Sequence, residues 1–143
     1  GEVEIEGTTR ALEEEVRQYL GKRIGEIAAG IARSYRAECK YEMIWGAAPV
    51  VNDDEMARLA AGAAVKVLGE DGVITSVPAP NMGGEDFAFY LRERPGAFMF
   101  LSSSNREKHT DGPHHNPRFD VDEDVFWKGS AVFVSIVEDY LGR

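Results

Sequence analysis

The chain has 143 residues, 43% of them apolar and only 6 prolines, which suits one ordinary folded domain or two small ones. Its 25 acidic against 16 basic side chains give a formal charge of −9, which argues against a nucleic-acid partner because backbone phosphates repel an acidic surface. No run of about 18 apolar residues is present to span a bilayer, and the first residues lack the basic-then-apolar pattern of a signal peptide.

Residues 2–6, Glu-Val-Glu-Ile-Glu, alternate strictly, which predicts a strand with one buried face. A helix is expected from about Leu12 to Tyr35. Glu13, Glu14 and Glu15 suit its first turn through the helix dipole, and Val16, Leu20, Ile24, Ile27 and Ile31 recur at spacings of three and four. A second alternating strand is expected from Glu38 to Trp45, with Cys39, Tyr41, Met43 and Trp45 on one face. Cys39 then reads as a small core residue and not as a nucleophile. As the single cysteine it has no disulfide partner in this chain, which fits a reducing, cytoplasmic setting. Strand, helix and strand together amount to one crossover unit.

Ala47-Ala48-Pro49 breaks the pattern and marks a candidate boundary. Asn52 or Asp53 can cap the next helix, which carries Met56, Leu59, Ala60, Ala63, Ala64, Val67 and Leu68. Its small residues predict close packing on a sheet. Gly69–Gly72 ends it. Val73-Ile74-Thr75 reads as a short buried strand, and Pro78, Pro80, Gly83 and Gly84 as an irregular loop. Glu85–Leu91 is expected as a short helix and Ala97–Leu101 as a central strand. Ser102–Phe119 is a long loop holding all three histidines, and Asp122–Leu141 closes as a helix. The expected fold class is α/β. Residues 2–10 and 38–46 would form one small sheet under the first helix. A second sheet would include 73–76 and 97–102, packed by helices at 52–68 and 122–141.

Charge is uneven along the chain. Residues 1–48 carry nine acidic and seven basic side chains, and residues 49–143 carry 16 and nine. The second section is the acidic one, which suits a cation site and equally suits a solvated face.

Two loops bear chemistry. His114-His115-Asn116-Pro117-Arg118-Phe119-Asp120 places two imidazoles before a proline that holds its predecessor extended. A neutral imidazole on such a loop is a common transition-metal ligand, although a metal site needs roughly three or four protein ligands and an ordinary surface loop has the same composition. In Asn81-Met82-Gly83-Gly84-Glu85-Asp86-Phe87 the paired glycines allow close approach of backbone to a ligand, and the N–H groups at the following helix start can meet an anion. Glu85 and Asp86 also suit that helix start as plain dipole partners, so a simple turn fits as well.

Five motifs occur in one order: Gly7-Thr8-Thr9-Arg10; Pro49-Val50-Val51-Asn52-Asp53; Met82-Gly83-Gly84-Glu85-Asp86-Phe87-Ala88; Pro95-Gly96-Ala97-Phe98; and His115-Asn116-Pro117-Arg118-Phe119-Asp120. The series resembles the metal-dependent aminoacylase and carboxypeptidase family, with its hippurate hydrolases, N-acyl-amino-acid amidohydrolases and indole-acetyl-amino-acid hydrolases. The resemblance covers essentially the whole chain and implies that it matches the C-terminal part of longer two-domain enzymes. Residues 1–48 then correspond to the second half of a small α+β lid and dimerisation domain. Residues 49–143 correspond to the C-terminal segment of a mixed-sheet, metallopeptidase-like catalytic domain.

The resemblance further implies an amidohydrolase with two divalent ions (zinc, manganese or cobalt) that polarise a carbonyl and activate water, and a glutamate that shuttles the proton. By the motif match His115 is a metal ligand, with His114 its neighbour. Arg10 falls at a lid position that helps hold a substrate carboxylate, and Gly83 and Gly84 border the substrate. The general base and the other ligands fall in parts of the family that this chain does not match. No catalytic residue is therefore expected here, the metals are not expected to be held by this chain alone, and the chain is expected to be inactive alone. The substrate implied is an N-acyl amino acid or small peptide-like molecule, and homo-oligomers are expected. The alternative is a non-catalytic oligomerising fragment or binding module.

Overall fold

Helix α1 spans Glu14–Ser34. Glu14 and Glu15 stand in its first turn, where carboxylates complement the exposed N–H groups. Arg17 donates to both Glu14 carboxylate oxygens, at 2.8 and 3.0 Å, and Gln18 donates to Glu14 Oε1 at 2.7 Å. Its C-terminus closes by paired backbone bonds: Ala37 N–H to Ala32 O, and Arg36 N–H to Arg33 O. That closure requires a left-handed residue, and Arg36 takes it at φ 57° where glycine is usual.

This computed structural model describes residues 1–76 and 79–142. The chain forms two compact units, Gly1–Val51 with Pro78–Glu93, and Asn52–Val77 with Arg94–Arg143. The first holds α1 and the short helix α3, Phe87–Glu93. Helix α2, Asp54–Leu68, and helix α4, Phe126–Leu141, belong to the second. Single 3₁₀ turns lie at Glu70–Gly72 and Glu123–Val125.

The expected α/β class is overturned: among the described residues there is no strand and no sheet. The segments 2–10, 38–46, 73–76 and 97–102 are not helical, and none pairs into a ladder. Alternation describes the two faces of an extended segment, but a strand exists only when a neighbour supplies the opposite row of hydrogen bonds. Residues 2–6 are exposed throughout. Val3 is 85% and Ile5 89% exposed, so their expected buried face is open.

Residues 41–45 do find a partner, but it is a helix. Gly21 and Gly25 lie four apart on α1 and leave a notch. A methyl group on Gly21 would stand 2.4 Å from the Trp45 ring, and one on Gly25 would stand 2.6 Å from the Tyr41 ring. The Tyr41 hydroxyl donates to Gly21 O at 2.8 Å, and the Arg17 guanidinium stacks 4.7 Å over Trp45. The odd-numbered face is therefore used as alternation implies, against small residues of a helix and not against a strand. Cys39 departs from its expected role. It is exposed and lies outside this packed face.

In the second unit Asp53 caps α2, its carboxylate accepting from Glu55 and Met56 N–H. Leu59, Ala60, Ala63 and Ala64 are buried on α2, and Val132 and Ser135 on α4. The two helices pack on each other, so the alanine face meets a helix and not the expected sheet. Lys66 and Asp139 bridge the pair. The expected central strand at 97–101 is held by a side chain. The Asn52 carboxamide accepts from Phe98 N–H at 2.8 Å and donates to Phe98 O at 3.2 Å, which mimics a strand neighbour at one residue. Leu101 reaches Gly129 of α4, where an added methyl would stand 3.3 Å away. The expected loop residue Pro78 lies outside the described residues.

Candidate functional site

Three of the four candidate residues fall in the first unit and come together there. Arg10 Nη1 donates to the carbonyl of Met82 at 3.2 Å and lies 3.4 Å from where a Gly84 methyl would be. A larger residue at Gly84 would thus crowd the guanidinium. The remaining Arg10 N–H groups have no partner among the described residues, so a planar donor fork faces solvent beside the glycine pair. Not all of the loop's N–H groups are open. Gly83 N–H is occupied by the Asn81 side chain at 2.7 Å. At the start of α3, Phe87 N–H goes to the Glu85 carboxylate at 3.2 Å. Glu85 therefore caps its own helix, as its position in the sequence allows.

The same unit is tied together by Glu14. Its carboxylate meets Arg17, Gln18 and, at 3.5 Å, Arg92 of α3. The Arg17 and Gln18 hydrogen bonds, aided by the charges of Arg17 and Arg92, hold its pKa down at about 2.

The fourth candidate, His115, lies in the second unit. It is exposed and holds a left-handed backbone, φ 63°. A non-glycine residue in that region carries strain that the surrounding loop must hold. Several contacts hold it. Asn116 N–H donates to Pro113 O, Phe119 N–H to Asn116 O, and Arg118 N–H to the Asn116 side chain at 2.9 Å. Gly112 lies so close to Arg118 O that an added methyl would stand 2.6 Å away, which pinches the loop shut. The His114 ring sits edge-on to Phe119, with centroids 4.8 Å apart. The His114 and His115 rings stand 6.5 Å apart and nearly perpendicular.

Beneath this loop is a polar knot that the sequence reading missed. Asp122 and Thr110 are buried. The Asp122 carboxylate accepts from Asn105 Nδ2 at 2.7 Å, Lys108 Nζ at 2.6 Å and Asp124 N–H at 3.2 Å. Lys108 also bridges to Asp124. Thr110 Oγ1 accepts from Asn105 N–H and donates to Ser103 O, and Asp122 N–H donates to the same carbonyl. The Lys108 and Asn105 hydrogen bonds hold the Asp122 pKa at about 2, and Lys108 is pushed up by its two carboxylate partners. The legible signal was Asp122 ahead of a helix. Its burial, and its reach to Asn105 and Lys108, were not legible.

A metal centre needs several converging donors. Among the described residues, no group of three or more His, Cys, Asp or Glu side chains could hold an ion. The residues present do not by themselves make up such a centre.

Residues 4–139 match the family described as peptidase family M20/M25/M40. The chain belongs to this family. Its relatives include a probable hydrolase of Synechocystis, 32% identical over 90% of this chain and 32% of the relative. An N-acetyl-L-cysteine deacetylase of Bacillus subtilis is 35% identical over 90% of this chain and 29% of the relative. An indole-acetyl-amino-acid hydrolase-like protein of Arabidopsis thaliana is 32% identical over 97% of this chain and 30% of the relative. The chain spans about a third of the length of these curated relatives. No solved structure matches it. The family is one of hydrolases acting on amide bonds. No helix among the described residues is long and apolar enough to cross a membrane.

Proposed function

We propose that this chain supplies the lid-and-closing section of an amidohydrolase that cleaves the amide bond of N-acyl amino acids or small peptide-like substrates. The observation that carries this reading is the Arg10 corner. A guanidinium is tied by one nitrogen to the Gly83–Gly84 loop, and its other donors are turned outward. A fork of that shape suits the carboxylate that an N-acyl amino acid presents. The relatives' names agree in class: a deacetylase of an N-acetylated amino acid, an amidohydrolase, a carboxypeptidase and an amino-acid-conjugate hydrolase. Gly83 and Gly84 keep the rim low, so the carboxylate can approach the backbone. Residues 1–48 act as the second half of the lid and residues 49–143 as the C-terminal segment of the catalytic domain.

His115 contributes one imidazole to a divalent metal centre, with zinc, manganese or cobalt the candidates. When bound, such ions supply polarisation of the scissile carbonyl. This chain's own share is to present the His115 nitrogen on a closed loop and to orient the substrate carboxylate through Arg10. With one ligand and no general base in place, the chain by itself does not turn substrate over.

Two measurements test this reading. Titration of the labelled chain with N-benzoylglycine should shift the Arg10, Gly83 and Gly84 amide signals, and Arg10→Ala should remove the response. No shift at those residues sinks the carboxylate reading. Assays with N-acyl amino acids and added zinc, manganese or cobalt should show no turnover above background. Hydrolysis abolished by His115→Ala would mean that the chain builds a complete site.

A second reading, an oligomerising module, is favoured by the open apolar surface. Ile5, Ile44, Ile74 and Phe100 are each more than three-quarters exposed. Such surface favours association between copies, which light scattering at micromolar concentration would detect. A well-ordered monomer removes this second reading.

A further inference from the structure

We infer that Asp122 is the positioning residue of the histidine loop, acting through Asn105 and Lys108 without touching a ligand. The inference rests on the reading of His115 as a metal ligand. A ligand on an exposed loop is useful only if its imidazole is held in one place before the ion arrives. Residues 103–122 form an excursion whose two ends meet, Asp122 N–H on Ser103 O at 3.1 Å. At that junction the Asp122 carboxylate spends one oxygen on Asn105 and the other on Lys108 and on Asp124 N–H. Both side-chain donors belong to the outgoing arm of the excursion. Thr110 fastens the same arm to Ser103 and Asn105. The carboxylate is thus the point where the loop's outgoing arm is joined to the start of α4.

Its burial gives the joint its stiffness. The Asp122 side chain is 8% exposed, so its charge-assisted bonds compete little with water. Removing it would leave Asn105 Nδ2 without its acceptor and the Lys108 ammonium with Asp124 alone, and a donor that has lost its partner tends to turn to water. The far end of the excursion has only exposed contacts of its own, the Asn116 turn and the Gly112–Arg118 approach, and relies on the joint for its order. Loss of Asp122 should therefore loosen the loop, far end included, and leave α2 and α4 packed.

The His114–Phe119 edge contact provides a signature, because an aromatic ring shifts the resonance of a proton held beside it. In the full chain, the imidazole Hε1 signals of His109, His114 and His115 are recorded without metal, together with amide protection of α2 and α4. Asp122→Ala should collapse the His114 shift to its free-peptide value while the helices stay protected. Lys108→Met should lose part of the shift, and Lys108→Arg should restore it. An unchanged His114 shift in Asp122→Ala overturns the inference. If that variant loses helix protection as well, the Lys108 pair decides, and an unchanged shift in Lys108→Met overturns the inference. Cobalt(II) added to the unsubstituted chain should broaden His115 more than His109. Equal broadening would remove the ligand reading and leave the positioning result standing.

Discussion

The loop around Gly83–Gly84 and the loop around His115 are both exposed, yet their anchors differ in kind. The first is held by surface contacts, Arg10 on Met82 O and the Asn81 side chain on its own backbone. The second closes over a buried carboxylate with two side-chain donors. A surface contact competes with water and contributes little to rigidity. A buried, fully partnered polar group fixes geometry because any alternative leaves charges unsatisfied. The difference fits the roles proposed. A carboxylate clamp tolerates some movement, and a metal ligand does not.

The largest effect is expected in the α2–α4 pair of the second unit. Ala63, on α2, is fully buried in the unit where α2 packs on α4. Ala63→Leu should overpack that contact and cost about 1–3 kcal/mol in urea unfolding. Gly30→Ala in α1 meets open space and removes a helix-interior glycine, so it should stabilise by about 0.4–1 kcal/mol. Loss of stability there as large as for Ala63→Leu would show that the first unit is packed more tightly than its contacts indicate. Next in size is the α2 cap. Asp53→Ala strips the acceptor from Glu55 and Met56 N–H and should cost about 1 kcal/mol by the same method.

Two carboxylate clusters, Glu14 in the first unit and Asp122 in the second, respond alike to acid and differently to salt. Asp122 and Glu14 both hold pKa values at about 2, below their ordinary 3.8 and 4.5. Each contribution is complete above the ordinary value and is lost as the pH falls toward about 2. Lys108 has the opposite sign. Its contribution is complete below 10.5 and is lost as the pH rises past it. The Glu14 side chain is 41% exposed and that of Asp122 8%. Added salt at neutral pH should therefore weaken the Glu14 cluster more than the Asp122 knot. Salt titrations of Glu14→Gln and Asp122→Asn check this, and equal salt sensitivity would contradict the difference in burial. The smallest effect is expected at Arg10. Arg10→Gln should change stability by less than about 0.5 kcal/mol, because it removes only an exposed contact. A larger loss would make Arg10 a structural residue and weaken its assignment to substrate.

The helices and the kinship were legible in the chain's local pattern. Spacings of three and four, the Asp53 cap and the acidic first turn of α1 are local signals. A helix satisfies its own backbone, so local signals suffice. The order of the motifs at Arg10, Asn52-Asp53, Gly83-Gly84 and His115 pointed to the family that residues 4–139 match. Tertiary structure alone decided what the extended segments meet. Residues 2–6 and 38–45 alternate alike, yet Val3 and Ile5 lie open while Tyr41 and Trp45 enter the Gly21–Gly25 notch. Nothing in either segment encodes its partner, because a strand's hydrogen bonds are completed by residues far away in the chain. The same holds for the site. His115 and Gly84 were legible as types in a motif. The left-handed turn at His115 is held by the Asn116–Pro113 bond and the Gly112–Arg118 approach, and the burial of Asp122 under Asn105 and Lys108 rests on contacts 17 and 14 residues apart, which no local pattern specifies.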